Sequence, residues 1–329
     1  MTMFKVYKLH FTSPVHFGNV RSDYGISLTT VQSDTMYAAI TSCLAKLGLP
    51  IPEDGDLGCT ISSLFPFHQK DKTGECTYFF PRPLKAEVLE PKVVESAKRV
   101  KKVAWLDRDY FERAIKGETL FSSENSVSDI KAGQYLSSKA IMESTEDGIL
   151  TSLESPRVKV PNDPNKDSEP FYMERVFFND RSGLFFLAEG NTELIDKGMA
   201  LLQHEGIGTD RNVGNGAFEY EKAEISIEIP KDCNYAVSLS VFIPESSGQL
   251  QSMLSGERIG YELSRRGGWI TSSQFGNLRK NAISAFSAGS VFSLPDAPCH
   301  KGAIVDLAPD AVTHPIWRSG RAMFIPIKL

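Results

Sequence analysis

One glycine-rich segment decides how the rest of this 329-residue chain is interpreted: Gly206-Ile207-Gly208-Thr209-Asp210-Arg211-Asn212-Val213-Gly214-Asn215-Gly216. It follows a stretch with helical apolar spacing, Glu193–His204, and precedes a strand-like run from Ala217 to about Ile229. Glycine adopts positive φ and lets the backbone approach a ligand closely, so such a loop can turn amide groups toward phosphate oxygens. At its centre, Arg211 and Asn212 supply a planar charged fork and a two-way amide, which favours an anion or a nucleobase as the partner.

Two familiar phosphate loops do not match this segment. A dinucleotide-binding fingerprint requires glycine three places after Gly208, where the chain has Arg211. A P-loop requires Gly-Lys-Ser/Thr at the start of a helix, whereas Gly216 leads into a strand. The spacing leaves a purely structural interpretation open, in which sharp turns alone demand the glycines.

The elements on either side of the loop predict an α+β fold. A strand over Met3–Phe11 precedes a helix that Ser33 and Asp34 are expected to cap, and a buried strand over Gly183–Ala188 precedes the helix at the loop. This order predicts a ferredoxin-like (RRM-related) βαββαβ domain over residues 1–230 with a large insertion at about 51–181. Residues 231–329, with a helix expected over 246–264, are predicted to form a second, smaller ferredoxin-like α+β domain.

A hairpin is expected inside the insertion, at about residues 156–178. Its strands are Pro156–Val160 and Phe171–Phe178, and the segment 161–167 between them is dense in Pro, Asn and Asp, the residues of turns.

Composition limits the function classes. The net charge of −5 argues against coating nucleic acid by bulk charge, but it is the sum of +3 over residues 1–116, −12 over 117–256 and +4 over 257–329. We expect the acidic excess to lie away from any bound RNA. Five scattered cysteines fit reduced thiols in a cytoplasm, and no apolar run is long enough for a membrane span, so no membrane partner is expected.

The glycine loop and several further segments resemble the RAMP superfamily of CRISPR RNA-binding proteins. Within its Cas-five-like group, they are most similar to the subunit-four family of type III-A (Csm) effector complexes. The segments are 11–18 (FTSPVHFG), 32–39 (QSDTMYAA), Glu174-Arg175, 206–216, 265–269 (RRGGW) and 314–318 (HPIWR). They keep their order over nearly the whole chain, except that 51–150 and 244–256 contribute little.

The resemblance implies a non-catalytic subunit that binds the repeat-derived 5′ handle of the CRISPR RNA in antiviral defence. It also implies that the hairpin acts as a thumb near the junction of handle and guide, and that no metal or other cofactor is required. The implied protein partners are the large polymerase-type (Csm one) subunit and the backbone RAMP (Csm three) subunit, whose filament the chain would cap, with target RNA approached indirectly. The implied RNA-binding residues are His16, Gly18, Asn19, Arg21, Arg157, Lys159, Tyr172, Met173, Arg175, Gly206, Gly208, Thr209, Asp210, Arg211, Asn212, Gly214, Gly216, Arg265 and Arg266.

Two alternatives to this function stay open. One is a metal-independent endoribonuclease that processes CRISPR repeat RNA, for which His16 or His10 would have to act as the base. Neither histidine has a partner base at a telling spacing, and no HExxH, GxSxG or Cys–His nucleophile motif is present. The other alternative is an assembly protein without an RNA role.

Overall fold

The computed structural model describes residues 1–18, 24–70, 74–86, 97–121, 128–139, 148–161, 165, 167–272, 274–294 and 302–329, and it confirms an α+β protein. The helices are α1 (Ser33–Lys46), α2 (Ala97–Lys101), α3 (Arg108–Ile115), α4 (Glu193–Glu205) and α5 (Ser247–Met253). The strands up to residue 230 are β1 (Thr2–Phe11), β2 (Cys59–Ile61), β3 (Phe65–Gln69), β4 (Cys76–Pro81), β5 (Trp105–Asp107), β6 (Ile130–Lys131), β7 (Tyr135–Leu136), β8 (Leu150–Lys159), β9 (Glu169–Phe178), β10 (Ser182–Gly190) and β11 (Phe218–Ile227). The strands that follow are β12 (Tyr235–Ser238), β13 (Leu263–Arg266), β14 (Ile283–Phe286), β15 (Val291–Ser293), β16 (Ile304–Asp306), β17 (Trp317–Ser319) and β18 (Phe324–Ile327).

A mixed central sheet organises the chain, with its strands in the order β11-β1-β10-β3-β4-β5-β7-β6 and with β2 also paired to β10. Strand β1 lies between β11 and β10 and is antiparallel to both. Four of these strands, β1, β3, β10 and β11, can be numbered one to four in chain order. Their order across the sheet is then four-one-three-two, and each neighbouring pair is antiparallel.

Part of the segment predicted as an insertion belongs to this sheet. Strands β2 and β3 pair antiparallel with β10, so the elaboration begins after residue 69 rather than at residue 51. For β3 the cause is burial: all five residues of Phe65–Gln69 are buried, which removes the alternation by which a half-exposed strand is recognised. Strand β2 has only three residues, too few for a clear pattern.

The central sheet separates two hydrophobic cores. Because side chains alternate along a strand, Phe4 and Val6 of β1 enter one core while Tyr7 and Leu9 enter the other. The core around Tyr7 and Leu9 contains α1 and α4. The core around Phe4 and Val6 also contains buried residues of β12 and β18, so the C-terminal third packs against the sheet instead of standing apart from it.

The C-terminal third contains the three-stranded sheet β15-β12-β18 and two ribbons, β13–β14 and β16–β17. The helix predicted over 246–264 is wrong in its extent, because α5 ends at Met253. The chain beyond α5 is not helical: Gly260 forms an antiparallel bridge with Val291, the first residue of β15. Among the residues that the structure describes, no helix has both the length and the apolarity needed to cross a membrane.

The predicted cap of α1 is also wrong, and the two residues expected to form it instead join α1 to the C-terminal third. The N-cap position is Gln32, without a capping side-chain hydrogen bond. The Ser33 hydroxyl accepts a hydrogen bond from the Val241 amide at 2.8 Å. The Asp34 carboxylate accepts two from Arg266, at 2.8 and 2.9 Å, and one from Arg318 at 3.3 Å.

Asp34 is 1% exposed. Burial alone would raise the pKa of its carboxyl, but the guanidinium groups of Arg318 and Arg266 lower that pKa below its ordinary value. Since the folded chain lowers the pKa, the ion pairs stabilise it above the carboxyl's unfolded pKa, and this contribution is lost as the pH falls through the lowered value.

We predict that Asp34→Asn lowers the free energy of unfolding at pH 7 by about 3–5 kcal/mol, because it leaves buried guanidinium charge without its partner. Urea denaturation of the full chain measures this. The matched control is Glu193→Gln, which breaks the exposed pair with Lys197 and is expected to leave the unfolding curve unchanged. Equal effects of the two substitutions would show that Asp34 does not join the two parts of the chain.

Candidate nucleic-acid interface

The glycine loop (residues 206–216) is closed at its base by backbone contacts. The Ile207 amide donates to the Gly216 carbonyl at 3.0 Å, and the Gly216 amide donates to the Pro14 carbonyl at 2.9 Å. Gly216 has φ of +79°, and a β-carbon there would overlap the carbonyl oxygen of Ile207. A β-carbon on Gly208 would lie 2.7 Å from the carbonyl oxygen of His16. Close backbone packing therefore accounts for these two glycines without a ligand.

The tip of the loop differs from its base. Arg211–Val213 forms a single turn of 3₁₀-helix, and a β-carbon on Gly214 would meet no atom within 4 Å. The amides of Gly208, Arg211 and Asn212 donate to no acceptor among the described residues. The amides that remain for a ligand are thus those of Gly208 and of two residues at the tip, not those of the whole loop.

Two polar contacts tie the loop to the hairpin formed by β8 and β9. The Arg157 guanidinium donates to the Asp210 carboxylate at 2.7 Å, and Arg175 donates to the side-chain oxygen of Asn215 at 3.1 Å. The hairpin is longer than expected, with ten residue pairs between Leu150–Lys159 and Glu169–Phe178. Loop and hairpin are therefore positioned as one unit.

The expectation that carboxylates lie away from this region is wrong in two places. Asp210 lies between the loop and the hairpin, where it pairs with Arg157. Glu205, at the end of α4, lies 3.9 Å from Arg211. The arginines are about one-third exposed, and these carboxylates hold them in place at the surface. They also offset part of the local positive charge.

The other predicted residues fall into three groups. Lys159 and Tyr172 are exposed on the hairpin, where Lys159 lies 3.4 Å from Glu169. His16 and Met173 are buried, and the ring nitrogen Nδ1 of His16 donates to the carbonyl of Glu174 at 2.8 Å, so their side chains support the site from inside. Asn19 and Arg21 lie outside the described residues.

The loop also lines a cleft of about 270 Å³ between α1 and the C-terminal third. This cleft brings Gly18, Gly208, Thr209 and Arg211 together with Arg265 and Arg266, which are distant in sequence. Arg266 uses its guanidinium on Asp34 and the Thr35 hydroxyl, whereas Arg265 is exposed at the mouth. The residues that line the cleft are Phe17, Gly18, Leu28, Thr30, Val31, Gln32, Thr35, Ala38, Ala39, Ser42, Ile207, Gly208, Thr209, Arg211, Arg265, Arg266, Gly267, Trp269, Thr271, Lys280 and Arg318.

Lys280, Arg318 and Trp269 were not among the predicted site residues. The segments around Trp269 and Arg318 were recognised by resemblance, but no spacing in the sequence indicates that their chain positions meet α1 and the glycine loop. The contact of Arg318 with Asp34, 284 residues away, is what places it in the cleft.

Comparisons with known proteins agree with this architecture. The family model described as the CRISPR Csm4 C-terminal domain matches residues 231–327. A curated relative from Thermococcus onnurineus, the CRISPR system Cms protein Csm4, is 28% identical over 278 residues, covering 79% of this chain and 81% of its own.

Two solved structures have the same fold. A chain of the Csm3-Csm4 subcomplex in the type III-A CRISPR-Cas interference complex matches with a TM-score of 0.63 at 19% identity, covering all of both chains. A chain of the Csm1-Csm4 cassette in complex with cA4 matches with a TM-score of 0.59 at 19% identity, covering 100% of this chain and 99% of that one.

The fold, the glycine loop and these matches define a CRISPR protein of the RAMP class. Within that class, the chain resembles Csm4 proteins over most of its length, and residues 231–327 match the Csm4 C-terminal domain.

We predict that Gly216→Ala destabilises the chain by at least about 3 kcal/mol, because the methyl group overlaps backbone at the base of the loop. Gly214→Ala is the matched control, with a similar φ of +88° and open space around the β-carbon. It should lose only about 1 kcal/mol from the left-handed conformation. Urea denaturation compares them, and equal losses would contradict the packing role assigned to Gly216.

Proposed function

We propose that this chain is the non-catalytic subunit of a cytoplasmic type III-A CRISPR ribonucleoprotein that binds the 5′ handle of the CRISPR RNA in antiviral defence. The observation that carries the proposal is the meeting of the glycine-loop tip, the thumb hairpin and the cleft mouth around one surface. The four-one-three-two strand order supports a ferredoxin-like core, the arrangement on which RNA-binding proteins of the RRM type are also built.

The groups at this surface suit single-stranded RNA. Proteins bind such RNA by stacking its bases on aromatic or arginine planes and by holding its phosphates with amides and basic side chains. The loop tip offers free amides and Arg211, the cleft mouth offers Arg265, and Tyr172 is 65% exposed on the hairpin.

Unpaired polar atoms at the junction of loop and hairpin support the same function. Nε of Arg175 and the side-chain nitrogen of Asn215 are buried, and neither has a hydrogen-bond partner in the described part of the chain. Buried donors normally have an acceptor, and an RNA phosphate or sugar oxygen laid along the junction would supply one.

The protein partners follow from the family. Solved complexes pair Csm4 with Csm1 and with Csm3, and their chains share this fold over its whole length. We therefore propose that the chain docks a large Csm1-type subunit and a backbone Csm3-type subunit. In this position it caps the filament at the handle end and contacts target RNA only indirectly.

We predict that Arg211→Glu weakens the binding of a single-stranded RNA with the handle sequence by at least about tenfold, because it reverses the charge at the loop tip. The loss of one phosphate contact should also reduce the slope of log affinity against log salt by about 0.7. Filter binding over a salt series measures both values.

The matched control for Arg211→Glu is Lys98→Glu, the same reversal of charge on the exposed side of α2. It should leave affinity and salt slope unchanged. If wild-type binding is flat with respect to salt and sequence, the chain is an assembly protein without an RNA role, and the proposed function is wrong.

A second prediction concerns catalysis. Labelled repeat RNA incubated with the chain in EDTA should remain uncut, because the His16 ring is 1% exposed and cannot reach a scissile 2′-hydroxyl. His10 is also occupied, since its Nε2 lies 3.3 Å from Glu221. Gel analysis of the RNA is the measurement. A product that disappears with His10→Ala or His16→Ala would identify the chain as a processing endoribonuclease.

A further inference from the structure

The inner end of the cleft carries more positive than negative charge. Arg266, Arg318 and Lys280 surround the buried carboxylate of Asp34, and Arg211 and Arg265 lie nearer the opening. Among the described residues that line the cleft there is no aspartate or glutamate, and the carboxylate of Asp34 lies behind the lining. One carboxylate for three buried or half-buried cations leaves net positive charge in a confined space, which an anion would stabilise.

Two donors at this inner end have no acceptor. Arg318 is only 7% exposed, and its buried Nε makes no hydrogen bond in the described part of the chain. The Lys280 amide donates to the Gly268 carbonyl, but no described residue pairs with its side-chain ammonium group. A buried donor is rarely left unpaired, so Nε of Arg318 indicates a missing acceptor, and the half-buried, unpaired ammonium group of Lys280 lines the same cleft.

We propose that the inner end of the cleft is a phosphate site, in which Arg318 and Lys280 bind one phosphate group of the RNA. This inference rests on the proposed function and assigns one subsite within it. The volume of about 270 Å³ accommodates a phosphate with part of its nucleoside, and the neighbouring walls are formed by Phe17 and Trp269.

The charges around Lys280 predict that its ammonium group takes up a proton when a phosphate binds. Burial lowers the pKa of Lys280, the guanidinium groups of Arg318 and Arg266 lower it further, and Asp34 opposes them, so that the pKa falls to about 7. Arg211 from the glycine loop and Arg265 from β13 complete the charged groups of the cleft. A bound phosphate adds negative charge, raises the pKa of Lys280 and draws a proton from solvent at pH 8.

The test measures the affinity of the full chain for handle RNA between pH 6.5 and pH 8.5. Because the wild-type lysine loses its proton above about pH 7, its affinity should fall by a factor that approaches ten per pH unit. Lys280→Arg keeps the charge and should show no such fall. Lys280→Met should bind at least about tenfold more weakly at pH 6.5 and be insensitive to pH.

Titration calorimetry in two buffers of different ionisation enthalpy provides a second measurement. At pH 8 the wild type should take up about one proton per RNA bound, and both Lys280 variants should take up none. Lys231→Met, which alters an exposed lysine outside the cleft, should match the wild type in both measurements. Thermal unfolding checks that the Lys280→Met variant is folded. We expect it to be, because the lysine it replaces is itself partly uncharged near pH 7.

The outcomes separate the two proposals. If the RNA binds but Lys280→Met shows wild-type affinity and the wild-type pH dependence, the phosphate site is overturned and the handle-binding function stands. If the wild type binds no handle RNA at any pH, the proposed function fails, and the phosphate site fails with it. A fall in affinity above pH 7 that only the wild type and Lys231→Met share supports the site.

Discussion

The ion pairs of Asp34 with Arg266 and Arg318 are the interaction on which the rest of the structure depends. They join the first turn of α1 to β13 and β17, more than 230 residues further along the chain. A carboxylate that is 1% exposed tolerates burial only because two guanidinium groups compensate for the lost hydration. The same contacts form the back wall of the cleft, so stability and the shape of the site have one physical origin.

The site combines arginine side chains with carboxylates that orient them and offset part of their positive charge. Asp210 holds Arg157 and Glu205 lies beside Arg211, so the surface presents oriented arginines rather than a broad positive field. Such an arrangement favours recognition at defined phosphates over coating of any polyanion. It also shows how the proposed RNA-binding surface is compatible with a net charge of −5.

Prediction from sequence was accurate where local signals were strong. The helix predicted over Glu193–His204 is α4, and the strands on either side of it are β10 and β11, because apolar periodicity and glycine ends mark all three. The predicted capping role of Ser33 and Asp34 was wrong, because their side chains bond to residues of the C-terminal third instead of to the helix end. Strand β3 was missed because burial on both faces removes its alternation, and β2 was missed because it has only three residues.

By itself, the sequence determined the α+β class, the glycine loop between α4 and β11, and the resemblance to CRISPR RNA-binding proteins, since these depend on residues close together in the chain. Only the tertiary structure decided that Lys280 and Arg318 share a cleft with Gly208 and Arg211. It also decided which loop amides remain free, and that Asp34 is an anchor rather than a cap. The physical reason is that burial, ion pairing and pKa depend on neighbours from distant parts of the chain, which no local pattern encodes.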